Sequence, residues 1–535
     1  MLVIKPDSST IDAFISPPVP IYMQFYLFNV TNPDEIRFHG AKPALQEVGP
    51  YTYEEVRTKF DMEWNNTDDT VTYLQNKTFF FREELSSGLE SDRVTTINAL
   101  MVAIAKKVEQ LPSAIQALVE LVFLRFQETL FITKPVSELL FKGYEAPLLS
   151  ELIKYTGDPT NSKGKFGFFY PVAAEGFGDN DDLLLRLIWT QLEAGFDLFE
   201  SYVVGDMLFY GFQLPEFNFD FSDIPGFDMT EGLNGTLYEI LSKLQEMGVN
   251  VQPPESLESN EIHFMKNHTS DGTYKVKTGA GGVSNYLKVM EWNGSDMLKY
   301  WRTDYCNMIN GTDGTQYPPR VTKDRVLYLY TSELCRSLYL TYEKEVEFRG
   351  IQTMRFIPPK DVLEDPMVNP DNQCFCIPDM NSCLGASMLN MEQCAFGAPV
   401  ILSTPHFYQG NQEDIDSIGG LYPIKNDHET FLDIEPKTGV VMRAMKKMQI
   451  NIPLKQYGNL PSFRNVPEVI FPILWVNESA EIDTASAKDV KKAIYLPFTI
   501  VDAICGVLIG VGVILLCIGA YKFMGIRRSR NQHKL

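Results

Sequence analysis

The sequence predicts an α+β fold that one C-terminal helix anchors in a membrane. Strand-like segments come first, a helical pattern lies between Thr95 and Leu130, and strands dominate again from Lys275 onward. Strands and helices that are segregated along a chain in this way are typical of the α+β class. The membrane helix is predicted by eighteen uncharged residues from Ala503 to Ala520.

Apolar runs and alternation predict the individual strands. Ile21 to Val30 is a β-rich apolar run that ends at Asn32-Pro33, and Thr70 to Phe81 alternates in part between apolar and polar residues. The clearest strand pattern in the C-terminal part of the chain has one apolar face, which we expect to be buried, and one polar face, which we expect to be exposed to water. The apolar face consists of Met448, Ile450, Ile452 and Leu454, and the polar face of Gln449, Asn451, Pro453 and Lys455.

The helical block between the strands has a wide apolar stripe, broken upstream by Pro112. The stripe consists of Ala114, Ile115, Leu118, Val119, Leu121 and Val122.

The C-terminal apolar run has the length and the flanks of a transmembrane helix. At about 1.5 Å per residue it spans roughly 27 Å, close to the hydrocarbon thickness of a bilayer. Tyr495 precedes it, and the basic residues Lys522, Arg527, Arg528 and Arg530 follow it at once. The length and the flanks of this run predict a transmembrane helix over residues 496–521. The positive-inside rule predicts that the tail, residues 522–535, is cytoplasmic. Within this helix, Gly506 and Gly510 have the GxxxG spacing that can seat a second helix, which would allow a homodimer.

Length and charge limit the class of protein. The chain has 535 residues and a formal net charge of −22, and we expect residues 1–493 to form a lumenal or extracellular ectodomain. Such an acidic surface repels phosphate backbones, so nucleic acid is not an expected partner.

Six of the eight cysteines are crowded into residues 306–394. They are Cys306, Cys335, Cys374, Cys376, Cys383 and Cys394, whereas Cys505 and Cys517 lie in the apolar C-terminal run. An even set of cysteines in an acidic region is typical of a disulfide framework formed in an oxidising compartment, and spacing alone does not choose among its pairings. The alternative is a thiolate zinc site. Only Cys374-Phe375-Cys376 comes near ligand spacing, and a second Cys-x-x-Cys or His pair is missing.

Eight Asn-x-Ser/Thr sequons also indicate a glycosylated ectodomain. They begin at Asn29, Asn65, Asn76, Asn234, Asn267, Asn293, Asn310 and Asn477. The first residues, Met1 to Pro6, have neither the basic start nor the long apolar core of a signal peptide.

Several separated blocks of sequence occur in a characteristic order. They are Val48 to Tyr53 (VGPYTY), Cys306 to Gly314 (CNMINGTDG), Cys335-Arg336-Ser337, Asn369 to Asn372 (NPDN), Pro405-His406-Phe407 and Asp433 to Gly439 (DIEPKTG). Together these blocks resemble the class B scavenger receptor family over nearly the whole chain except residues 172–262.

The resemblance implies an irregular antiparallel β-barrel core with a helical apex, formed here by residues 95–160, on the side away from the membrane. By similarity to the fatty-acid translocase of the family, it implies the disulfides Cys306–Cys374, Cys335–Cys394 and Cys376–Cys383. At the apex, Arg125 matches the position of a basic ligand-binding residue, whereas Gln127, at a second such position, has lost the charge. Because family members have a transmembrane helix at each end, we expect a further helix to precede Met1.

Residues 172–262 depart from the family pattern and form an insert. Within it, Val204 to Pro215 (VGDMLFYGFQLP) aligns without gaps to Val136 to Pro147 (VSELLFKGYEAP). We interpret residues 182–215 as a duplicate of the helix-and-turn unit at residues 114–147. Coincidence between two amphipathic helices is the alternative.

Residues that could carry catalysis are few. The six histidines are His39, His263, His268, His406, His428 and His533, and the chain has no HExxH motif, no GxSxG motif and no P-loop. His263 and His268 lie beside a sequon, which suits a glycosylated loop better than a metal site, and no residue pattern orders a triad around His406 or His428. We therefore expect no enzymatic activity, no cofactor and no metal.

The resemblance implies a cell-surface receptor of the plasma membrane. It would bind lipids, fatty acids, sterols or lipoproteins at the apex and move hydrophobic cargo through an apolar tunnel in the ectodomain to the bilayer. The alternative is a lysosomal membrane glycoprotein that sorts a hydrolase. No histidine between residues 95 and 160 could sense endosomal pH, and the tail has no acidic dileucine signal, which disfavours this alternative. A purely adhesive glycoprotein is a third interpretation, and its ectodomain would carry no lipid.

Overall fold

Strands dominate the computed structural model, which describes residues 3–8, 11–111, 113–154, 165, 166, 168, 169, 269–395 and 397–532. The strands are β1 (Ile21–Val30), β2 (Leu45–Asn65), β3 (Thr70–Phe81), β4 (Arg93–Ile97), β5 (Phe131–Pro135), β6 (Tyr144–Glu145), β7 (Lys165–Phe166), β8 (Thr269–Lys277), β9 (Val289–Trp292), β10 (Leu327–Thr331), β11 (Arg336–Phe348), β12 (Ile351–Ile357), β13 (Met388–Asn390), β14 (Ile401–Ser403), β15 (Phe431–Ile434), β16 (Val441–Leu454) and β17 (Val469–Glu481). The helices are α1 (Ile11–Ile15), α2 (Pro33–His39), α3 (Ala99–Val108), α4 (Ser113–Arg125), α5 (Pro147–Lys154), α6 (Asp304–Asn307), α7 (Gln412–Asp416), α8 (Lys425–His428) and α9 (Thr484–Gln532).

Thirteen strands form one antiparallel sheet in the order β10-β11-β12-β15-β16-β17-β1-β2-β3-β8-β9, with the β13–β14 hairpin attached to β16. Two short sheets, β4–β5 and β6–β7, lie outside it. The sheet is nearly closed, which confirms the α+β class and the antiparallel barrel-like core. The predicted strands at residues 21–30 and 70–81 are confirmed as β1 and β3.

The segment after α6 bridges the gap between the end strands β9 and β10. The N–H of Val289 in β9 donates to the carbonyl oxygen of Gly311 at 2.9 Å, and the N–H of Tyr330 in β10 donates to that of Thr312 at 2.9 Å. Backbone hydrogen bonds to one intervening segment therefore satisfy both edges, which removes the unpaired edges that an open sheet would expose.

Strand β1 lies at the centre of the sheet because its alternating apolar residues face the main core. Met23, Phe25 and Leu27 are buried there, and Phe25 lies opposite Tyr51 of β2 and Val476 of β17. The β1–β2 register shifts between Phe25 and Leu27, where Gly49 of β2 has a φ of +130°. A Cβ at Gly49 would lie 2.6 Å from the carbonyl oxygen of Phe25, so the irregular pairing requires glycine.

Helices α3 and α4 pack on the same core. The side chain of Asn98 caps α3 by accepting from the N–H of Met101 at 3.2 Å. Gln116 of α4 donates to the carbonyl oxygen of Leu111 at 2.8 Å and accepts from the N–H of Asn459 at 2.6 Å, which ties the helices to the loop after β16. Of the predicted stripe, Val119 and Val122 are buried, while the side chains of Ala114, Ile115 and Leu118 lie outside the described set.

Strand β16 differs from its predicted pattern. Gln449 and Asn451, expected to face water, are 0% exposed, because β14 and the turn at Pro405–Phe407 cover that face. Gln449 accepts from the N–H of His406 at 2.7 Å, and Asn451 donates to the hydroxyl of Ser403 at 3.0 Å. These bonds satisfy the buried amides, so the expectation of a wet face was wrong for these two residues.

Helix α9 continues from the sheet to the C-terminal region. Its stretch Ala503–Lys522 is the single span within the described residues that is long and apolar enough to cross a membrane, and none of that stretch is buried in the protein. Its exposed apolar side chains therefore suit a lipid environment.

Candidate functional site

The sheet encloses a cavity of about 570 Å³, within the range of roughly 300–1,000 Å³ that is typical of small-molecule sites. Strands β1, β2, β3, β10, β11, β16 and β17 contribute to its wall, and α1 contributes Phe14. Apolar side chains of this wall include Val19, Ile21, Leu340, Ala444, Met448 and Ala480. Such a wall can take up a hydrocarbon tail.

A buried network of three cations and four carboxylates borders the same cavity. Its ion pairs are Glu55–Arg57, Arg57–Glu478, Glu478–Lys446, Lys446–Glu333, Glu333–Lys77 and Lys77–Asp271. Glu333 is central, at 2.7 Å from the Nζ of Lys77 and 3.2 Å from that of Lys446. Apart from Glu55, each of these residues lines the cavity. The resemblance implied an apolar conduit; the structure instead shows a cavity with one strongly polar region.

The network keeps its members charged despite burial. Burial by itself would lower the pKa of Lys77, but Asp271 and Glu333 outweigh it and raise that pKa. Burial likewise opposes the charge of Glu333, yet Lys446 and Lys77 hold its pKa well below the usual range. For Glu478, Lys446 and Arg57 overcome burial and lower the pKa to about 2. The cavity wall therefore carries fixed charges at neutral pH.

Three further cations of the cavity wall, Lys59, Arg336 and Lys447, have no carboxylate within 4.0 Å in the described part of the chain. Lys447 donates to the carbonyl oxygen of Asn426 at 3.4 Å. No carboxylate oxygen of the described chain lies within 4.0 Å of the Nζ of Lys59, which sits 4.8 Å from the ring centre of Phe14 and 5.3 Å from that of Tyr73. Arg336 stacks on Phe375 at 3.7 Å, and its Nε has no hydrogen-bond partner in the described structure. Burial lowers the pKa of Lys59, and it lowers the pKa of Arg336 to about 9.

A second polar cluster lies beside the cavity, around His406 and His428. The two imidazole rings stack 4.3 Å apart at 11°. Glu47 lies 2.6 Å from the Nε2 of His406 and accepts from the Nε1–H of Trp475 at 2.7 Å. The N–H of Tyr422 donates to the Nδ1 of His406, which leaves the hydrogen of the neutral ring on Nε2. Neither imidazole has a serine hydroxyl among its hydrogen-bond partners here, so the cluster is not a nucleophilic triad.

The block Asp433 to Gly439 has a structural role. Asp433 is 0% exposed and accepts from Arg355 at 2.7 and 2.9 Å and from Arg443 at 2.9 Å. Two guanidinium groups thus compensate one buried carboxylate and join β12, β15 and β16.

The structure brings together the six clustered cysteines as Cys306–Cys374, Cys335–Cys394 and Cys376–Cys383, which are the pairs that the resemblance implies. The described residues contain no group of side chains that could hold a metal ion. Cys505 and Cys517 are exposed on α9.

The sequon asparagines occupy different environments. Asn65 and Asn293 are exposed, Asn29, Asn76 and Asn310 are half-buried, and Asn234 and Asn267 lie outside the described residues. Asn477 is buried, and its Nδ2 donates to the Oε1 of Gln24 at 2.8 Å. A glycan would be attached to this nitrogen, which the hydrogen bond to Gln24 engages in the folded structure, and glycosylation of Asn477 stays a prediction.

The remaining predicted residues lie apart from the cavity. Arg125 is exposed in the last turn of α4, with its guanidinium 6.0 Å from the ring centre of Phe126. Gly506 and Gly510 lie on an open surface of α9. The insert at residues 172–262, including the duplicate at 182–215, lies outside the described residues.

The charged cavity wall was missed from the sequence, although a signal for it existed. Strand β3 alternates, and its inward phase runs through Tyr73, Gln75, Lys77 and Phe79, all of which are buried. Polar residues in the inward phase of an amphipathic strand indicate a polar interior.

Comparison with known proteins gives one family. The sequence profile of the CD36 family matches residues 1–182 and 173–523. Lysosome membrane protein 2 of Homo sapiens is 32% identical over 496 residues, which are 92% of this chain and 81% of that protein. The protein of the same name from Rattus norvegicus is 31% identical over 494 residues, again 92% of this chain and 81% of that protein. Scavenger receptor class B member 1 of Bos taurus is 27% identical over 515 residues, which are 96% of this chain and 81% of that protein. This chain therefore belongs to the CD36 family.

Proposed function

We propose that this protein is a membrane-anchored receptor that takes up amphipathic lipids and moves them through the cavity of the sheet toward the bilayer. The observation that carries the proposal is the 570 Å³ cavity with an apolar wall and a charged region. An apolar wall suits an acyl or sterol body, and the charged region suits a polar head. The name of the relative scavenger receptor class B member 1 supports a receptor function.

Narrowing the cavity tests this function. Ala444 and Ala480 lie opposite each other in the β16–β17 ladder, and both line the cavity. We expect Ala444→Phe to reduce uptake of a fluorescent fatty acid or sterol severalfold in cells that express the full chain. Ala485→Phe, an equal change at an exposed position, is the matched control. Normal uptake by correctly folded Ala444→Phe protein at the cell surface would contradict transport through the cavity.

A lysosomal sorting receptor is the second candidate, since another relative is named lysosome membrane protein 2. Microscopy of a tagged full-length chain separates the two. Steady-state residence in lysosomes together with a co-purifying hydrolase would favour the sorting function, and residence at the plasma membrane would favour lipid uptake.

Arg125 and the glycine pair of α9 are the proposed contact positions outside the cavity. The exposed guanidinium of Arg125 would attract anionic ligands to the C-terminal end of α4. Gly506 and Gly510 lie four residues apart on one face, where a second helix can approach closely. Crosslinking in membranes tests whether two copies of the chain form a homodimer through these glycines. Gly512→Ile is the matched control for Gly506→Ile.

A further inference from the structure

Five lysines line the cavity, and Lys59 differs from Lys77, Lys360, Lys446 and Lys447. Lys360 pairs with Glu364 at 2.8 Å, and the half-buried Lys447 donates from its Nζ to the carbonyl oxygen of Asn426 at 3.4 Å. Lys77 and Lys446 each contact two carboxylates of the buried network. Lys59 is only 4% exposed, yet its Nζ has no carboxylate within 4.0 Å and no hydrogen bond in the described part of the chain. Its neighbours are the rings of Phe14 and Tyr73.

The protonation of these lysines follows from their surroundings. Burial lowers the pKa of Lys59; Asp313 and Asp271 oppose this from a distance, and Arg57 adds to it. In Lys446, by contrast, Glu333 and Glu478 overcome burial and raise the pKa. A desolvated lysine without a counter-ion has a larger neutral fraction, and the neutral amine is the nucleophilic form.

We propose that Lys59 is a covalent capture site for long-chain lipid aldehydes that enter the cavity. The inference rests on the proposed function, since the aldehyde must enter by the path that other lipids take. The apolar wall next to Lys59, which includes Tyr286 and Leu287, would hold the hydrocarbon chain while the carbonyl group meets the amine.

The reaction needs no additional oxidant or reductant. The Lys59 ammonium first releases a proton to water. The nitrogen lone pair then forms a bond to the carbonyl carbon, and the π electrons move to the oxygen. Transfer of a proton from nitrogen to oxygen gives a carbinolamine. Loss of one water from the carbinolamine leaves an imine that links Lys59 to the lipid.

Lys59 and the two lysines of the charge network, Lys77 and Lys446, provide an internal comparison. The full-length protein in detergent is incubated with hexadecanal and sodium cyanoborohydride, which reduces each imine to a stable secondary amine, and labelling is mapped by mass spectrometry of peptides. A difference of one pKa unit changes the neutral fraction of an amine about tenfold. We therefore expect Lys59 to be labelled at least about tenfold more than Lys77 and Lys446.

Two controls identify the site. Lys59→Arg keeps the positive charge but removes the amine, so it should remove the label from residue 59 without moving it to Lys77 or Lys446, while Lys446→Arg should leave the label on Lys59. An excess of hexadecanol, which has the same chain but no carbonyl, should protect Lys59 and leave exposed lysines such as Lys323 unprotected. If Lys59→Arg does not fold, the labelling of Lys59 relative to Lys77 and Lys446 in the unsubstituted chain still decides whether Lys59 is the capture site.

The outcomes separate this inference from the proposed function. Equal labelling of Lys59, Lys77 and Lys446, with protection of all three by hexadecanol, would overturn the capture site and keep lipid entry. Labelling of Lys59 by propanal but not by hexadecanal would show that lipid-sized molecules do not enter, and would overturn both. Absence of label from Lys59 while Lys323 is labelled would also overturn the capture site.

Discussion

At the residue scale, the stacked histidines couple stability to pH. Burial, reinforced by His406, lowers the pKa of His428 from 6.5 to about 4, while Glu47 and Asp427 oppose the shift. The Nδ1 of His428 accepts from the N–H of Ile424 at 2.9 Å. A proton on Nδ1 would break that bond and place a charge beside His406.

The sign of the pH effect follows from the lowered pKa. Below pH 6.5 the unfolded chain binds a proton that the folded chain refuses until about pH 4, so the free energy of unfolding falls across this interval. Between pH 7 and pH 5 we expect a loss on the order of 2 kcal/mol from His428. The difference in Tm between the two pH values should shrink in His428→Gln and stay the same in His39→Gln, a change of an exposed histidine. An unchanged difference in His428→Gln would refute this origin.

At the scale of elements, the turn between β15 and β16 locks the sheet to the segment after α6. The N–H of Tyr317 donates to the carbonyl oxygen of Gly439 at 2.8 Å, and Gly439 has a φ of +76°. A Cβ there would lie 2.0 Å from the carbonyl oxygen of Tyr317. Neither backbone can withdraw without losing this contact, so the turn requires glycine.

Alanine substitutions separate backbone strain from this close approach. Gly294 has nearly the same φ, +74°, but nothing lies within 4 Å of an added Cβ. We expect Gly294→Ala to destabilise the protein by about 1 kcal/mol through strain alone, and Gly439→Ala to cost several times more. Thermal unfolding of the two variants measures the contrast. Equal Tm values would mean that the turn can move away from Tyr317.

At the scale of the whole molecule, the buried charge network joins distant parts of the chain across the cavity. Arg57 lies in β2, Lys77 in β3, Lys446 in β16 and Glu478 in β17, while Glu333 follows β10. These strands come from the N-terminal and the C-terminal parts of the sheet, so the network links the two parts. Buried ion pairs of this kind contribute little net stability, but the loss of one member leaves its partners uncompensated.

Glu333→Gln tests how strongly the network couples the fold. It leaves Lys77 and Lys446 without their shared carboxylate, and we expect a loss of about 3–5 kcal/mol. Glu345→Gln breaks the exposed pair with Lys323, which should cost about 0–1 kcal/mol. The double variant Glu333→Gln, Lys446→Met should recover part of the loss seen by thermal unfolding. A Glu333→Gln protein as stable as Glu345→Gln would show that water already screens the network.

The sequence by itself determined the elements whose information is local. A β-rich apolar run placed β1, and partial alternation placed β3, at their observed bounds, because both patterns are carried by adjacent residues. The apolar run before Lys522 likewise predicted the span in α9, since bilayer thickness sets its length. The separated blocks implied the barrel-like core by resemblance, and the nearly closed sheet agrees with it.

Only the tertiary structure decided what distant segments do to these elements. Gln449 and Asn451 have the alternation of a wet face, yet β14, nearly fifty residues earlier, covers them and accepts from the amide of Asn451, while the N–H of His406 donates to Gln449. Lys59 and Lys77 look alike in the sequence, but Glu333 and Asp271 form ion pairs with Lys77 and not with Lys59. Burial and pairing of a charge depend on residues remote in the chain, so no local pattern could predict which of these two lysines is paired in the cavity wall.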